Sequence, residues 1–279
     1  MTSAVRWVVL VVLLTGVAAG LYYWQQSREQ PEPSQPAPEQ PAPLQRGPIV
    51  GAPTAPEASA EPRIRYPIEA AQSQPGEKAK PLPALDKSDG VMREAVTGLY
   101  GAKDFSRFFY GDDIIHRIVV TIDNLPREKV PVRLRPLKSV PGLFAATGGD
   151  ESAVIATDNP ARYAPYVRLA EAVDEKKLVA LYVRFYPLFQ RAYEDLGYPK
   201  GYFNDRLVEV IDHLLAAPDV KQPIKLVRPK VMYQFSDPEL EALSAGQKTL
   251  IRMGGENARK IKAKLQEIRH ELTGQVSQR

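Results

Sequence analysis

Glu209, Asp212 and His213 stand at i, i+3 and i+4 of the run DRLVEVIDHLLAA. On a helix that spacing gathers carboxylates and an imidazole near one face, as in one half of a di-metal bundle site. Such a site needs matching ligands from facing helices, and neither 178–196 nor 114–124 holds a second Glu-x-x-His. No metal is therefore expected. The other two histidines, His116 and His270, are far from this group in sequence. The chain has no cysteine, which removes thiol nucleophiles, thiolate metal sites, disulfides and a lipid-bearing cysteine. No serine sits in a Gly-x-Ser-x-Gly elbow. The stretch Ser244-Ala-Gly-Gln-Lys248 lacks the second glycine and the Ser/Thr of a phosphate loop, so no nucleotide or other cofactor is expected. Asp112-Asp113 and Glu194-Asp195 are carboxylate pairs of the type that hydrolyse glycans. Adjacent residues diverge on a helix, however, and charge at helix ends is their ordinary role.

The most unusual local composition is aromatic and basic: NPARYAPYVR, then YVRFYPLFQRAYEDLGYPKGYFNDR. Tyrosine and arginine are enriched at binding hot spots, and aromatic faces stack on sugars. Tyr163, Tyr166, Arg168, Tyr198 and Tyr202 are the candidate recognition surface. The competing role for the same rings is core packing with their hydroxyls satisfied.

The elements that must position these residues read as mainly α. Ser88 precedes DGVMREAVTGLYG, which closes on Gly101, giving cap, helix and glycine stop. A second helix runs from Asp112 or Asp113 to Asn124 and ends before Pro126. Prolines and glycines then break the pattern, and 143–146 with 154–157 predict a small hairpin around Thr-Gly-Gly-Asp. Asp158-Asn159-Pro160 predicts a capped helix to Ala172. Asp174 opens the longest helix, whose stripe of Leu178, Leu181, Phe185, Leu188 and Ala192 is kinked by Pro187 and ends at Gly197. Asn204 is expected to cap the next helix, up to Pro218. After an extended stretch, 224–235, short helices open at Ser236-Asp237-Pro238 and Ser244. In the last helix Ile261, Leu265, Ile268 and Leu272 form an apolar face, available for the core or for a second copy. The fold class is a mainly α domain over residues 85–273 with at most a small β-hairpin, followed by a tail, 274–279.

Upstream the composition changes. Residues 7–24, opened by Trp7 and closed by Trp24, are an uncharged apolar run spanning about 27 Å as a helix, close to the ~30 Å bilayer core. Trp7 on one side and Tyr22, Tyr23 and Trp24 on the other suit the two interfaces. A transmembrane helix is expected, so the lipid bilayer is one partner. The alternative is a signal peptide cut after Val17-Ala18-Ala19. Arg6 in the short N-tail, residues 1–6, keeps the N-terminus cytoplasmic, and the rest is exported. Residues 25–84 hold 14 of the 26 prolines and few large apolar side chains, so a disordered, semi-rigid tether is expected, with a reach on the order of 190 Å. The basic excess lies in 221–279, with 12 basic and 6 acidic residues. Outside the cytoplasm there is no nucleic acid for it to meet.

Six stretches taken together, TIDNLPR, LRPL, NPARYAPYVRL, YPLFQRAYEDLGYP, GYFNDRLVEVIDHLLAAP and YQFSDPELEALSAGQKTLIRMGGENARKIKAKLQEIR, carry a resemblance over residues 85–272. The sequence resembles the Gram-negative bacterial family catalogued as domain of unknown function 3014. The resemblance implies the same layout in a bacterial inner membrane and brings no catalytic or binding residues. The expected function is a periplasmic, membrane-anchored, non-catalytic module that binds an envelope protein or peptidoglycan. The alternative is a wall-acting enzyme with two carboxylates in one cleft.

Overall fold

The computed structural model describes residues 64–68, 81–149 and 152–274. The expected membrane segment, most of the expected linker and the tail beyond Gly274 lie outside them. Among the described residues no helix is long and apolar enough to cross a membrane.

Nine α-helices carry this part of the chain: α1 (Asp89–Tyr100), α2 (Ala102–Phe108), α3 (Ile114–Asn124), α4 (Ala164–Ala172), α5 (Glu175–Asp195), α6 (Phe203–Leu215), α7 (Pro238–Glu241), α8 (Ala245–Arg252) and α9 (Gly255–Gly274). The mainly helical expectation is met, and several boundaries follow the expected chemistry. Asp174 accepts the Lys177 N–H at the start of α5, Asp237 accepts that of Glu239 before α7, and Ser244 with Gln247 forms a reciprocal capping box on α8. Helix α5 continues through Pro187, whose ring lies on its exposed side.

Three expectations need correction. Ser88 does not cap α1; its hydroxyl donates to the Leu85 carbonyl. The segment after Asp158 first makes a 3-10 turn, Asn159–Arg162, and only then α4. Asn204 lies inside α6 rather than before it, fully buried, because its amide finds partners in the core. Helix α2 was not anticipated: the short run AKDFSRF buries only Phe105 and Phe108, too few positions to show a period.

The principal core lies between α1, α3, α5, α6 and α9. Phe203 is its best-enclosed large side chain, with its ring 6.0 Å from that of Phe189 and 5.5 Å from that of Tyr193. The apolar face of α9 is taken up inside the domain: Leu265, Ile268 and Leu272 join this core, and Ile261 joins a second cluster with Val210, Leu214 and Leu250.

A third cluster belongs to the β-structure. Strands β1 (Ala146–Thr147) and β2 (Val154–Ile155) form the expected hairpin, in register Ala146 to Ile155. Strands β3 (Leu226–Val227) and β4 (Gln234–Phe235) form a second hairpin. Backbone bonds from Ile155 N to Ile224 O (3.0 Å) and Leu226 N to Ala153 O (2.7 Å) join the two into one corner.

Gly246 and Gly254 are among the described glycines fixed by close approach. A Cβ on Gly246 would lie 2.5 Å from Leu214 and 3.1 Å from the Leu125 carbonyl, so the glycine of the SAGQK stretch serves packing. Gly254 has φ +85°, and a Cβ there would meet Pro160 at 2.7 Å.

Candidate functional site

The groups that resembled chemistry are engaged in holding helices together. Glu209 pairs with Arg206, Asp212 with Arg269, and His213 Nε2 lies 2.9 Å from Ser244 Oγ. The last contact has the reach of a nucleophile and its base. Ser244, however, is the buried cap of α8 and accepts the Gln247 N–H at 3.2 Å, while Gln247 donates onward to the His213 carbonyl. Among the described residues no third group bonds the imidazole to orient it for catalysis. Among the described residues no cluster of three or more His, Asp or Glu is placed to hold a metal ion.

One charge constellation centres on a buried carboxylate. Asp123, at the end of α3, accepts from Arg127 (2.6 Å), Arg206 (3.1 Å) and the Tyr198 hydroxyl (3.3 Å), and Arg206 also donates to the Asp123 carbonyl at 2.9 Å. Arg127 is held in its charged state chiefly by Asp123. Every charge in this knot has an opposite partner, as a buried ion pair requires. It ties the turn after α3 to the α5–α6 loop and the start of α6.

Four of the five candidate recognition residues fall into two sets held by different neighbours. Tyr163 is half-buried against the α6–α8–α9 cluster, and burial raises its hydroxyl pKa. Tyr166 donates to the carbonyls of Lys138 (3.0 Å) and Ser139 (3.1 Å), and its ring meets Phe108 edge-on at 5.0 Å. Beside it, Arg162 donates to the carbonyls of Pro141 and Gly142 and to Oδ1 of Asn159. The fully buried Asn159 also accepts the Ala145 N–H and donates to the Arg252 carbonyl. The NPARYAPY stretch is thus a clamp on the extended chain 138–145.

Tyr198 and Tyr202 form the other set. Tyr198 stacks on Tyr193 at 4.5 Å and joins the Asp123 knot. Tyr202 packs on Tyr186 at 5.4 Å, and its hydroxyl accepts the Ile68 N–H at 2.6 Å. That contact opens the best-built site in the domain. Asp205 accepts the N–H groups of Arg65 (2.9 Å) and Tyr66 (2.7 Å), one on each carboxylate oxygen, and Asn204 donates to the Tyr66 carbonyl at 2.9 Å while accepting the Tyr182 hydroxyl at 3.2 Å. Burial raises the Tyr182 pKa, which keeps this hydroxyl protonated as a donor. Four backbone groups of residues 65–68 are read by three side chains, and Tyr66 and Ile68 pack on the core.

Within the stretch read as linker, Tyr66, Ile68 and Leu82 pack against the helical core. Proline content hid the segment. The signal that marked it was Ile64, Tyr66 and Ile68 at period two within RIRYPI. Sequence reasoning also missed Asp123, Asn159 and Asp205, whose roles depend on distant partners.

Arg168 is exposed and lines a surface cleft of about 490 Å³ between α4 and the start of α9. Glu171 and Glu256 line the same cleft, each 3.7 Å from Lys260 Nζ, so the two carboxylates stand within twice that distance of each other. Both face solvent and share one lysine. Their surroundings are alike, whereas an acid and a base need environments that differ.

A family model described as "Protein of unknown function (DUF3014)" matches residues 114–269, more than half of the chain. The match spans α3 through most of α9 and includes Tyr202, Asn204 and Asp205. It leaves out the docked segment 64–68. No curated protein and no solved structure matches the chain.

Proposed function

The chain belongs to this family of proteins of unknown function, and within it we propose that the described domain is a non-catalytic interaction module of the bacterial envelope that holds an extended polypeptide. Residues 7–24 anchor it in the inner membrane with the C-terminal part in the periplasm, and the proline-rich residues after them set its reach. The observation that carries the reading is the backbone-reading site of Tyr202, Asn204 and Asp205. Main-chain hydrogen bonds supply affinity for any extended segment, and recesses for alternate side chains supply preference. In this chain residues 65–68 occupy the site. An envelope protein presenting a similar aromatic and aliphatic pair competes for it.

The test uses the full chain carrying Tyr66→Ala and Ile68→Ala, which frees the site, and a fluorescent peptide of sequence RIRYPI. Saturable binding read by polarisation is expected, with loss on adding Asp205→Ala while helical circular dichroism persists. A peptide that binds the Asp205→Ala chain equally well, or neither chain, removes the proposal. In cells, a cross-linked envelope protein lost with Asp205→Ala would identify the partner.

A second reading, a wall-acting enzyme, is favoured by one observation: Glu171 and Glu256 share a cleft at a separation compatible with paired glycosidase carboxylates. Release of soluble fragments from purified peptidoglycan, lost in Glu171→Gln, would replace the non-catalytic reading.

A further inference from the structure

The three most exposed large apolar side chains among the described residues are Leu143 (91%), Val231 (86%) and Met232 (76%). They lie in two loops brought together by one ring contact: Phe144 meets Tyr233 at 6.0 Å, and Leu143 and Met232 are the chain neighbours of those rings. The exposure is built into the fold. Arg162 donates to Pro141 and Gly142, fixing the turn that presents Leu143. Leu226 and Phe235 pair at the base of the other loop, whose stem is braced by the Arg228 guanidinium 5.5 Å from the Tyr233 ring.

The charged residues of the two loop segments themselves are all basic. Residues 129–149 contain Lys129, Arg133, Arg135 and Lys138 and no acid, and residues 220–236 contain Lys221, Lys225, Arg228 and Lys230 and no acid. Acidic residues flank the two segments at Glu128, Asp150, Asp219 and Asp237, and Glu128 pairs with Lys129 at 3.5 Å. The apolar groups project outward, whereas the hot spots of protein interfaces sit in packed pockets around aromatic anchors. Projecting aliphatic side chains on segments whose charged residues are basic suit the boundary between headgroups and acyl chains, where burial of the tip and attraction to anionic lipid act together.

We propose that the tip formed by Leu143, Val231 and Met232 docks the domain onto the surface of an anionic phospholipid bilayer. The docking does not depend on the peptide site, and it acts whether the bilayer also holds residues 7–24 or not.

The chain has no cysteine, so Met232→Cys in the full chain takes a single environment-sensitive fluorophore, with Lys200→Cys as the comparison position. Each labelled chain is mixed with vesicles of phosphatidylcholine, with or without phosphatidylglycerol, some of them carrying brominated lipid. The expected result is a blue shift and several-fold stronger quenching at position 232 on anionic vesicles alone. Salt should reverse it as the screening length shrinks, while position 200 stays wet. Adding Leu143→Glu and Val231→Glu should return position 232 to the level of position 200. A probe at 232 as wet as that at 200 on anionic vesicles overturns the proposal, as does equal quenching on both lipids without salt dependence. Position 232 remaining wet on vesicles but cross-linking to a protein in cells assigns the tip to that protein instead. Co-flotation reports separately on the anchor: if residues 7–24 embed, the chain carrying Leu143→Glu, Val231→Glu and Met232→Glu still floats with vesicles.

Discussion

The helical core and the hairpin corner use the same residue types to opposite ends. Around α5 and α6, tyrosine and arginine are turned inward: Tyr182 meets Asn204, and Tyr198 and Arg206 meet Asp123. At the corner, aliphatic side chains face solvent in segments whose charged residues are all basic. The difference teaches that aromatic and basic composition alone does not mark a recognition surface; whether the partners lie inside the chain decides it. Mutation should therefore cost stability in the first region and leave it nearly untouched in the second.

The largest effect belongs to Phe203→Ala. The ring is fully buried among Phe189, Tyr193 and Tyr182, so lost transfer energy and the remaining cavity together cost about 4 kcal/mol. A stability loss in urea unfolding of less than a quarter of that would show that the core closes around the gap. Next is Asp123→Ala. Its carboxylate is the common partner of Arg127 and Arg206, and Arg206 has only 19% of its side chain exposed. Leaving that charge short of a partner should cost about 3 kcal/mol. Replacing Arg206 as well should cost less than the sum of the single changes, and strict additivity in that cycle would show the knot is not a unit.

Asn159→Ala probes the seam between the regions. Its amide bonds the Ala145 N–H on the strand side and the Arg252 carbonyl at the end of α8, so the loss should be about 2 kcal/mol. Hydrogen exchange is expected to rise at Ala145 while Val119, in the middle of α3, keeps its protection. Equal loosening at both would mean that the corner and the core melt together.

Much of this architecture was legible from the sequence because local rules governed it. Asp174, Asp237 and Ser244 were readable as caps since each bonds a backbone N–H two or three residues on. The face of Ile261, Leu265, Ile268 and Leu272 was readable as a period, although not which side of it would be filled by the domain itself. Asn204 looked like a cap for the same local reason and proved to be a core residue, because its partners, Tyr66 and Tyr182, are 138 and 22 residues away. Of the candidate site residues, Tyr202 is joined to the segment 64–68 and Tyr166 to the extended chain 138–145. Asp205 beside Tyr202 carried no local signal, since a carboxylate early in a helix is common for electrostatic reasons alone.

Acid and alkali should separate the two regions. Burial pushes the Tyr193 hydroxyl up to about 12, with the nearby Asp123 charge adding to it. The folded state thus keeps that proton more tightly than an unfolded chain with the ordinary value of 10.0. This contribution to stability is complete below pH 10 and disappears as pH rises through about 12. At the corner, burial would raise the Glu241 carboxyl, but the Phe235 N–H and Lys248 outweigh it and hold it below its ordinary 4.5. Its contribution is present above pH 4.5 and is lost as pH falls through the lowered value. Tyrosinate absorbance following the alkaline limb, and a shallower acid limb in Glu241→Gln, are the expected readings. An acid limb unchanged by Glu241→Gln would move acid sensitivity away from the corner.

The smallest stability effect is expected where the proposed functional effect is large. Leu143, Val231 and Met232 have most of their surface in water already, so replacing all three by glutamate removes little packing and should shift stability by no more than about 0.5 kcal/mol. The three new carboxylates sit in segments whose other charged residues are all basic, which favours the folded corner slightly. Urea midpoints of the parent and the triple variant should therefore nearly coincide, in contrast to Phe203→Ala. A loss of 2 kcal/mol or more would mean that these side chains close over the corner in solution, and the division between an inward-turned core and an outward-turned corner would fail at the place where it is sharpest.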